Sequence, residues 1–465
     1  MSLELDNIIS LSTNRPIFTP DVLSYGPIEQ KMRDTLSTLK DTKYPDTFDW
    51  SIYDNIASRF DEPPRGGVVF NTGLKLVNHH SSCTKCHYSF EIDTYGRGCL
   101  HNCVYCYAKE ILTRHGYWNE PRPFPLNLAE VRKIFYTVFE TDRPSKWREI
   151  LEKRVPLRIG SMSDSFMWLD LKHKVTLELL KILKFYRYPY IVFTRSDLAA
   201  HEDYIDAMDS KLAMIQYSIS GGNEKIARLI EPGAPSVARR LEALKVLGLA
   251  GFWTAVRINP FFPMHPDGYF TDPDSVISRF GSLEKAPKFD FFDWDLIQQI
   301  KESNVISLLA GVVRLSPFAI RALTKETGID LASFYKPELF SKSGDNRYSE
   351  NEVAYYYKRL KHECDKNQVR FQTCYIGMGA KDYFQYQDLW SNKKDCCDAR
   401  GKVDAFQASS QDIGWDTRMK HASCKESAVK AKAEEELIEA QYPRTSIAVV
   451  KTPSARKRFD AETLI

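Results

Sequence analysis

The chain has 465 residues, and its 64 Lys and Arg against 61 Asp and Glu leave a formal charge of +3. Hydrophobic residues make up 43% and charged residues 27%, the balance of a globular protein that buries a large core without disulfides. A histone-like or polybasic protein is excluded, whereas a local basic patch for nucleic acid is not.

The longest strongly apolar run, Val305 to Val313, has nine residues, where a bilayer-spanning helix needs roughly 20. The acids Glu4 and Asp6 stand where a signal peptide would carry bases. The expectation is a cytoplasmic protein with no membrane partner. In that reducing setting its 10 clustered cysteines point to metal or redox chemistry rather than to a disulfide framework.

Residues 1–89 read as an irregular N-terminal extension, broken by Pro16, Pro20, Pro27, Pro45, Pro63 and Pro64. Short helices are expected near Ile28–Leu39 and Trp50–Arg59. From residue 90 short apolar runs alternate with helical stretches. Strands are expected at Phe90–Thr94, Val155–Ile159, Tyr190–Thr194, Ala213–Ser218, Trp253–Ile258, Ile306–Leu315 and Val369–Cys374. Helices are expected at Leu171–Phe185, Ser236–Leu249, Trp294–Glu302 and Glu350–Lys366. This alternation predicts an α/β fold with a parallel sheet, a full or partial (β/α) barrel over 90–375, with its chemistry at the carboxyl ends of the strands.

Two insertions interrupt the series: a loop over Phe261–Trp294, and a polar, exposed segment over Lys336–Ser349. After Cys374 the chain is expected to leave the barrel. Residues 376–465 then form a C-terminal segment with a charged helix over Ser423–Ala440 and a basic tail over Lys451–Arg458. No internal repeat is present.

The sharpest signal is Gly96-Arg97-Gly98-Cys99-Leu100-His101-Asn102-Cys103-Val104-Tyr105-Cys106-Tyr107, with cysteines spaced C-x3-C-x2-C. With 10 cysteines in 465 residues, chance supplies this fixed triple only about 0.005 times per chain. Thiolates of Cys99, Cys103 and Cys106 can hold three irons of a [4Fe–4S] cluster and leave the fourth open. The loop follows the first strand and opens the first helix, and Gly96 and Gly98 permit close backbone approach. The structural alternative is a zinc knuckle with His101 as fourth ligand, or three packed thiols.

This stretch resembles the radical S-adenosylmethionine (SAM) superfamily. The resemblance implies that SAM binds the open iron, with Tyr105 beside the adenine. It also implies reductive cleavage to a 5′-deoxyadenosyl radical, which takes hydrogen from a substrate. An electron donor such as flavodoxin or ferredoxin is then a partner.

Over residues 90 to about 375 the chain is most similar to the spore photoproduct lyase and DNA-photolyase-like branch. The similarity rests on Tyr95 to Cys99, Cys106-Tyr107-Ala108, Gly160-Ser161-Met162-Ser163-Asp164, Phe193-Thr194-Arg195-Ser196 and Gln216-Tyr217-Ser218. Arg228 to Pro232, Arg239-Arg240-Leu241 and Arg257-Ile258-Asn259-Pro260 continue it. It implies that Ser163, Asp164 and Ser218 contact SAM, and that Arg195 replaces a lysine that binds the methionine carboxylate. Each of these residues also has an ordinary reading, as a helix cap or a structural ion pair.

One position departs from the branch. Ser161 stands where the lyase carries the cysteine that returns a hydrogen atom. An O–H bond is too strong for that task, so either another thiol such as Cys374 substitutes, or the reaction needs no outside donor. The second case describes a radical rearrangement of a modified thymidine, as proposed for phage enzymes of DNA hypermodification, which would place the protein in the host cytoplasm. The expected substrate is a thymine-derived base in DNA or a thymidine-type nucleotide. The alternatives are lyase-type repair of a thymine photoproduct and a zinc-stabilised nucleic-acid-binding protein without radical chemistry.

A second cysteine set opens with Cys83-Thr84-Lys85-Cys86-His87. Cys83 and Cys86, completed from Cys396, Cys397 and Cys424, could hold zinc or an auxiliary iron–sulfur cluster. The alternative is thiols without metal. Phe185-Tyr186-Arg187-Tyr188 and Tyr355-Tyr356-Tyr357-Lys358-Arg359 join aromatic and basic residues, as single-stranded nucleic-acid sites do. Ordinary helix packing produces the same pattern.

Overall fold

The computed structural model describes residues 74–76, 90–96, 98–114, 123–126, 128–262, 291–328, 330–335, 344–374 and 386–406, with the isolated positions Ile277, Gly281, Ser282 and Lys285. Its strands are β1 (Leu74–Leu76), β2 (Phe90–Ile92), β3 (Tyr95–Gly96), β4 (Phe124–Pro125), β5 (Leu157–Ile159), β6 (Tyr190–Thr194), β7 (Ala213–Ser218), β8 (Trp253–Phe261), β9 (Ser307–Val312) and β10 (Arg370–Thr373). One sheet runs in the order β1-β2-β5-β6-β7-β8-β9-β10. β1 is antiparallel to β2, and every other pair in the sheet is parallel. β3 and β4 form a separate antiparallel ribbon.

The expected spans of β6 and β7 agree with the structure. Both strands are buried along their whole length, as parallel strands covered on both faces must be. Helices fill the crossovers: α1 (Tyr107–Arg114), α2 (Leu128–Phe139), α3 (Arg148–Glu152), α4 (Asp170–His173), α5 (Val175–Phe185), α6 (Glu202–Ala207), α7 (Glu224–Ile230), α8 (Val237–Leu249), α9 (Asp295–Glu302), α10 (Pro317–Thr327) and α11 (Glu350–Lys366). The result is an open α/β barrel. Among the described residues no helix is long and apolar enough to cross a membrane.

Three expectations are corrected. The helix expected over Leu171–Phe185 is two helices, because Lys174 adopts a left-handed φ of 53° between α4 and α5. The buried Asp170 carboxylate supplies what continuous helix would have given. It accepts the first amides of α5, Thr176 at 2.8 Å and Leu177 at 3.2 Å. It also accepts the hydroxyls of Tyr95 at 2.5 Å and Tyr204 at 2.6 Å.

The polar segment 336–349 is not uniformly exposed. Asn346 is fully buried and exchanges backbone bonds with Leu315 (2.7 and 3.2 Å), while its side-chain amide adds a third bond at 3.2 Å. The C-terminal segment also does not wholly leave the barrel. Residues 386–406 return to the amino ends of the strands. There the Asp398 carboxylate takes Arg370 of β10 (2.7 and 2.8 Å) and Ser307 of β9 (2.9 Å), and its carbonyl takes the Trp253 indole of β8 (2.8 Å). The helices expected at 28–39, 50–59 and 423–440, the tail at 451–458 and most of the 261–294 loop lie outside the described residues.

Side chains of non-neighbouring strands meet across the concave side of the sheet. Arg257 of β8 lies 5.0 Å from the Phe193 ring centroid of β6 and donates to Cys374 Sγ, just past β10, at 3.1 Å. Arg158 of β5 lies over the same ring at 4.7 Å and pairs with Glu91 of β2 at 3.5 Å. The barrel interior is therefore polar towards its carboxyl ends.

Candidate cofactor site

The cysteine loop leaves β3 and enters α1. Two backbone features bend it tightly: Gly98 at φ 151° and Asn102 at φ 46°. Asn102 N–H bonds to the Cys99 carbonyl (3.1 Å) and Cys106 N–H to the Cys103 carbonyl (3.2 Å). Lys109 of α1 holds the Asn102 side chain at 2.8 Å.

The end of α7 docks onto this loop. Val104 N–H bonds to the Ile230 carbonyl (2.8 Å) and Gly233 N–H to the His101 carbonyl (3.0 Å). Only glycine fits at 233, since a Cβ there would stand 2.0 Å from the Leu100 carbonyl oxygen.

All three cysteines of the loop are free thiols, with Cys99 and Cys103 buried and Cys106 half-buried. Burial pushes the Cys99 thiol well above its ordinary value and the Cys103 thiol up to about 12. Thiolates there need a directly bound cation. Three sulfur donors on one loop, with no fourth, match three corners of a [4Fe–4S] cluster. His101 is not available to complete a zinc knuckle. Its Nε2 lies 2.9 Å from Asp164 and its Nδ1 lies 3.1 Å from the Gly233 carbonyl. Among the described residues no three His, Cys, Asp or Glu side chains are grouped around a single-ion position.

Asp164 ties this loop to the end of β6. Besides His101 it accepts the Thr194 hydroxyl (2.9 and 3.0 Å), the Arg195 amide (2.6 Å) and the Phe166 amide (2.9 Å). Burial opposes its charge, yet His101 and these amides outweigh burial and hold its carboxyl below the usual range. Ser163 donates to the Tyr95 carbonyl. The Ser161, Met162 and Ser163 amides converge on Asp93 at 2.6, 3.0 and 3.3 Å, and the Tyr107 hydroxyl donates to the Ser161 carbonyl at 2.9 Å.

Tyr105 and Arg195 meet on Glu231. The Tyr105 hydroxyl donates to Glu231 Oε1, and Arg195 reaches the Tyr105 oxygen at 3.0 Å and Glu231 at 3.3 Å. Ser220 donates to the same carboxylate at 2.9 Å. From the other side Arg240 of α8 pairs with Glu231 Oε2 at 2.6 Å and donates to the carbonyls of Pro235 (2.7 Å) and Ser218 (3.1 Å). Burial alone would raise the Glu231 carboxyl, but Arg240 and then Arg195 reverse this and hold it at about 2. Phe262 packs edge-on against Tyr105 at 5.3 Å.

The structure thus gathers Tyr105, Asp164 and Arg195 around the cysteine loop, with Ser218 one step behind through Arg240. It adds Glu231, Ser220 and Arg240, to which the sequence reading gave no role in this site, and makes His101, read there only as a possible zinc ligand, a partner of Asp164. One signal for Arg240 was present: it sits in the apolar stripe Val237-Leu241-Leu244 of α8, all buried, where an unpaired arginine is untenable.

Cys396 and Cys397 lie at the opposite, amino end, buried, with sulfurs 3.9 Å apart. Cys83, Cys86 and Cys424 lie outside the described residues. The aromatic–basic runs are mostly packing, although Phe185 and Tyr355 are exposed. Tyr186 stacks on Phe139 at 5.3 Å, Tyr188 donates to the Val155 carbonyl at 2.6 Å, and Tyr356 and Tyr357 are buried.

Among curated proteins, "Uncharacterized protein ORF301" of Acidianus two-tailed virus is 27% identical over 173 residues, covering 36% of this chain and 54% of that protein. The chain therefore spans about half the length of that relative. Among solved structures, a doubly substituted spore photoproduct lyase with bound AdoMet and dinucleoside spore photoproduct superimposes with a TM-score of 0.44 at 14% identity, covering 73% of this chain and 96% of that one. Spore photoproduct lyase complexed with the dinucleoside gives 0.42 at 16% identity, over 68% and 90%. The family model of the Radical SAM superfamily matches residues 94–270. That segment holds the cysteine loop, Asp164, Arg195, Ser218 and Glu231, and over it the chain is similar to the Radical SAM superfamily.

Proposed function

We propose that this chain takes a hydrogen atom from a thymine-derived base of DNA, or from a thymidine-type nucleotide, and rearranges a modified thymidine. The family implies a [4Fe–4S] cluster and SAM, which together supply a 5′-deoxyadenosyl radical. Cys99, Cys103 and Cys106 would hold the cluster. Tyr105, Ser163, Asp164, Arg195 and Ser218 would shape the SAM site, Asp164 by anchoring His101 and the Arg195 backbone. The polar interior with Arg158, Phe193 and Arg257 would receive the substrate. A flavodoxin- or ferredoxin-type protein would deliver the electron.

The observation that carries the rearrangement is Ser161. Its amide is fixed on Asp93 and its carbonyl on Tyr107, so a hydroxyl residue without hydrogen-donating capacity is held at the end of β5. A second reading, lyase-type repair, is favoured by Cys374, a buried thiol on the concave side held by Arg257 at 3.1 Å.

Anaerobically reconstituted protein, given DNA with modified thymidine or with spore photoproduct, separates the two when 5′-deoxyadenosine and nucleoside masses are followed. Rearrangement predicts an isomeric nucleoside and activity that survives Cys374→Ala. Photoproduct cleavage lost in Cys374→Ala selects the lyase. Protein that never releases 5′-deoxyadenosine defeats both. We assign Cys83, Cys86, Cys396, Cys397 and Cys424 to a second zinc or iron–sulfur site, for which metal retained in a Cys99/Cys103/Cys106 triple alanine variant is the test.

A further inference from the structure

Glu231 carries two guanidiniums. Arg240 is fully buried and Arg195 is largely so, and both pair with this one carboxylate. Among the described residues the neighbouring acids are committed elsewhere: Asp164 to His101, and Asp197 to Arg239. Asp164 meets Arg195 only at the backbone amide. The group Arg240–Glu231–Arg195 therefore holds one net positive charge in a buried place, where an unbalanced charge is costly.

That surplus faces the cysteine loop. Arg195 reaches the hydroxyl of Tyr105, which lies between Cys103 and Cys106 in the sequence, at 3.0 Å, while it holds Glu231 at 3.3 Å. Three thiolates on an iron–sulfur cluster bring the anionic charge that balances it, and cluster potential follows the net charge around the sulfurs.

We propose that Glu231 is a positioning residue that fixes Arg195 against the cysteine loop and sets, with Arg195 and Arg240, the reduction potential of the cluster. This rests on the cluster reading above. Glu231 holds the surplus at one charge; without its negative charge the site would carry two. One electron entering the cluster adds negative charge, so each extra positive charge nearby favours reduction.

The test is a mediator-equilibrated redox titration of reconstituted protein without SAM, followed by electron paramagnetic resonance. Iron per chain is measured alongside. Glu231→Gln keeps an acceptor oxygen for Tyr105 and Ser220 and removes the charge, so its midpoint is expected to move positive with iron retained. Arg195→Gln is expected to move negative, and Arg195→Lys to stay near the parent.

A structural role alone would not give shifts of opposite sign. Should Glu231→Gln fail to fold, the two Arg195 variants decide: equal midpoints in Arg195→Gln and Arg195→Lys overturn the proposal. Iron retained with an unmoved midpoint in Glu231→Gln overturns it alone. Absence of iron from the unaltered reconstituted chain overturns it together with the cluster reading.

Discussion

Two buried carboxylates at opposite ends of the barrel solve the same problem differently. At the amino end Asp398 meets one arginine, Arg370, in a two-pronged pair and adds the Ser307 hydroxyl. Within that pair charge is matched one for one, and the segment 386–406 is locked to β8, β9 and β10. At the carboxyl end Glu231 meets two arginines, a tyrosine and a serine, and charge is left over. A fold stabilised for its own sake resembles the first arrangement. The second makes sense beside a group of opposite charge, and it stands next to the three cysteines. The lesson is that burial of charge is not the mark of a site; unmatched burial is.

The largest expected effect comes from breaking the unmatched end. Arg240→Ala leaves Glu231 with the more exposed Arg195 as its ionic partner and strips donors from the carbonyls of Pro235 and Ser218. The expected cost is ~3–5 kcal/mol, read as a lowered denaturant midpoint in the apo chain. A loss below about 1 kcal/mol would mean the ionic group is no more integral than a surface pair.

Gly233→Ala comes next. The added Cβ meets backbone, the Leu100 carbonyl at 2.0 Å and the His101 Cα at 2.9 Å, so no rotamer change relieves it. The cysteine loop must move away from α7. The expectation is roughly 2–3 kcal/mol of destabilisation and reconstitution to well below the parent iron content. Full iron content in this variant would show that the loop does not need its α7 docking.

What could be read in advance follows the same division. β6 and β7 were legible to the residue because apolar runs bounded by turns encode buried strands. α11 was legible from its helical periodicity over Glu350–Lys366, and the structure adds a reciprocal cap by Ser349 and Glu352 at its start. The cysteine triplet was legible because the chemistry demands residues close in sequence. The Lys174 break was not, since lysine carries no marker for left-handed backbone and the stabilising Asp170 bonds become visible only in the fold. Glu231, Arg195 and Tyr105 come from three separate crossovers, so their meeting depends on how those crossovers pack. The return of 386–406 to Arg370 and Ser307 is hidden for the same reason.

A third buried ionisable group is held neutral, and pH sharpens the contrast. His201 caps α6 by accepting the Asp203 amide on Nδ1 at 3.3 Å. Burial, reinforced by Lys174, lowers its pKa from 6.5 to about 4. The unfolded chain therefore binds a proton at higher pH than the folded one. Stability from this group is intact above about 6.5, falls as pH drops towards about 4 and falls no further below it. The expected loss is on the order of 2 kcal/mol. Denaturation of the apo chain at pH 7 and pH 4.5 measures it, with His201→Asn, which can still cap, as the control. Equal pH slopes in parent and variant would remove His201 from the account.

The smallest effect is expected at the matched end. Asp398→Asn removes the charge but keeps an acceptor for Ser307 or Arg370, and asparagine tolerates the left-handed φ of 59° found there. Arg370 is 29% exposed in its side chain, so its freed guanidinium can turn to water instead of staying buried. The cost should be about 1 kcal/mol, with iron content and cluster potential unchanged because the pair sits at the other end of the strands. A shift of the cluster midpoint in this variant would mean that the two ends are electrostatically coupled through the polar barrel interior, and the division between matched and unmatched charge would no longer separate scaffold from site.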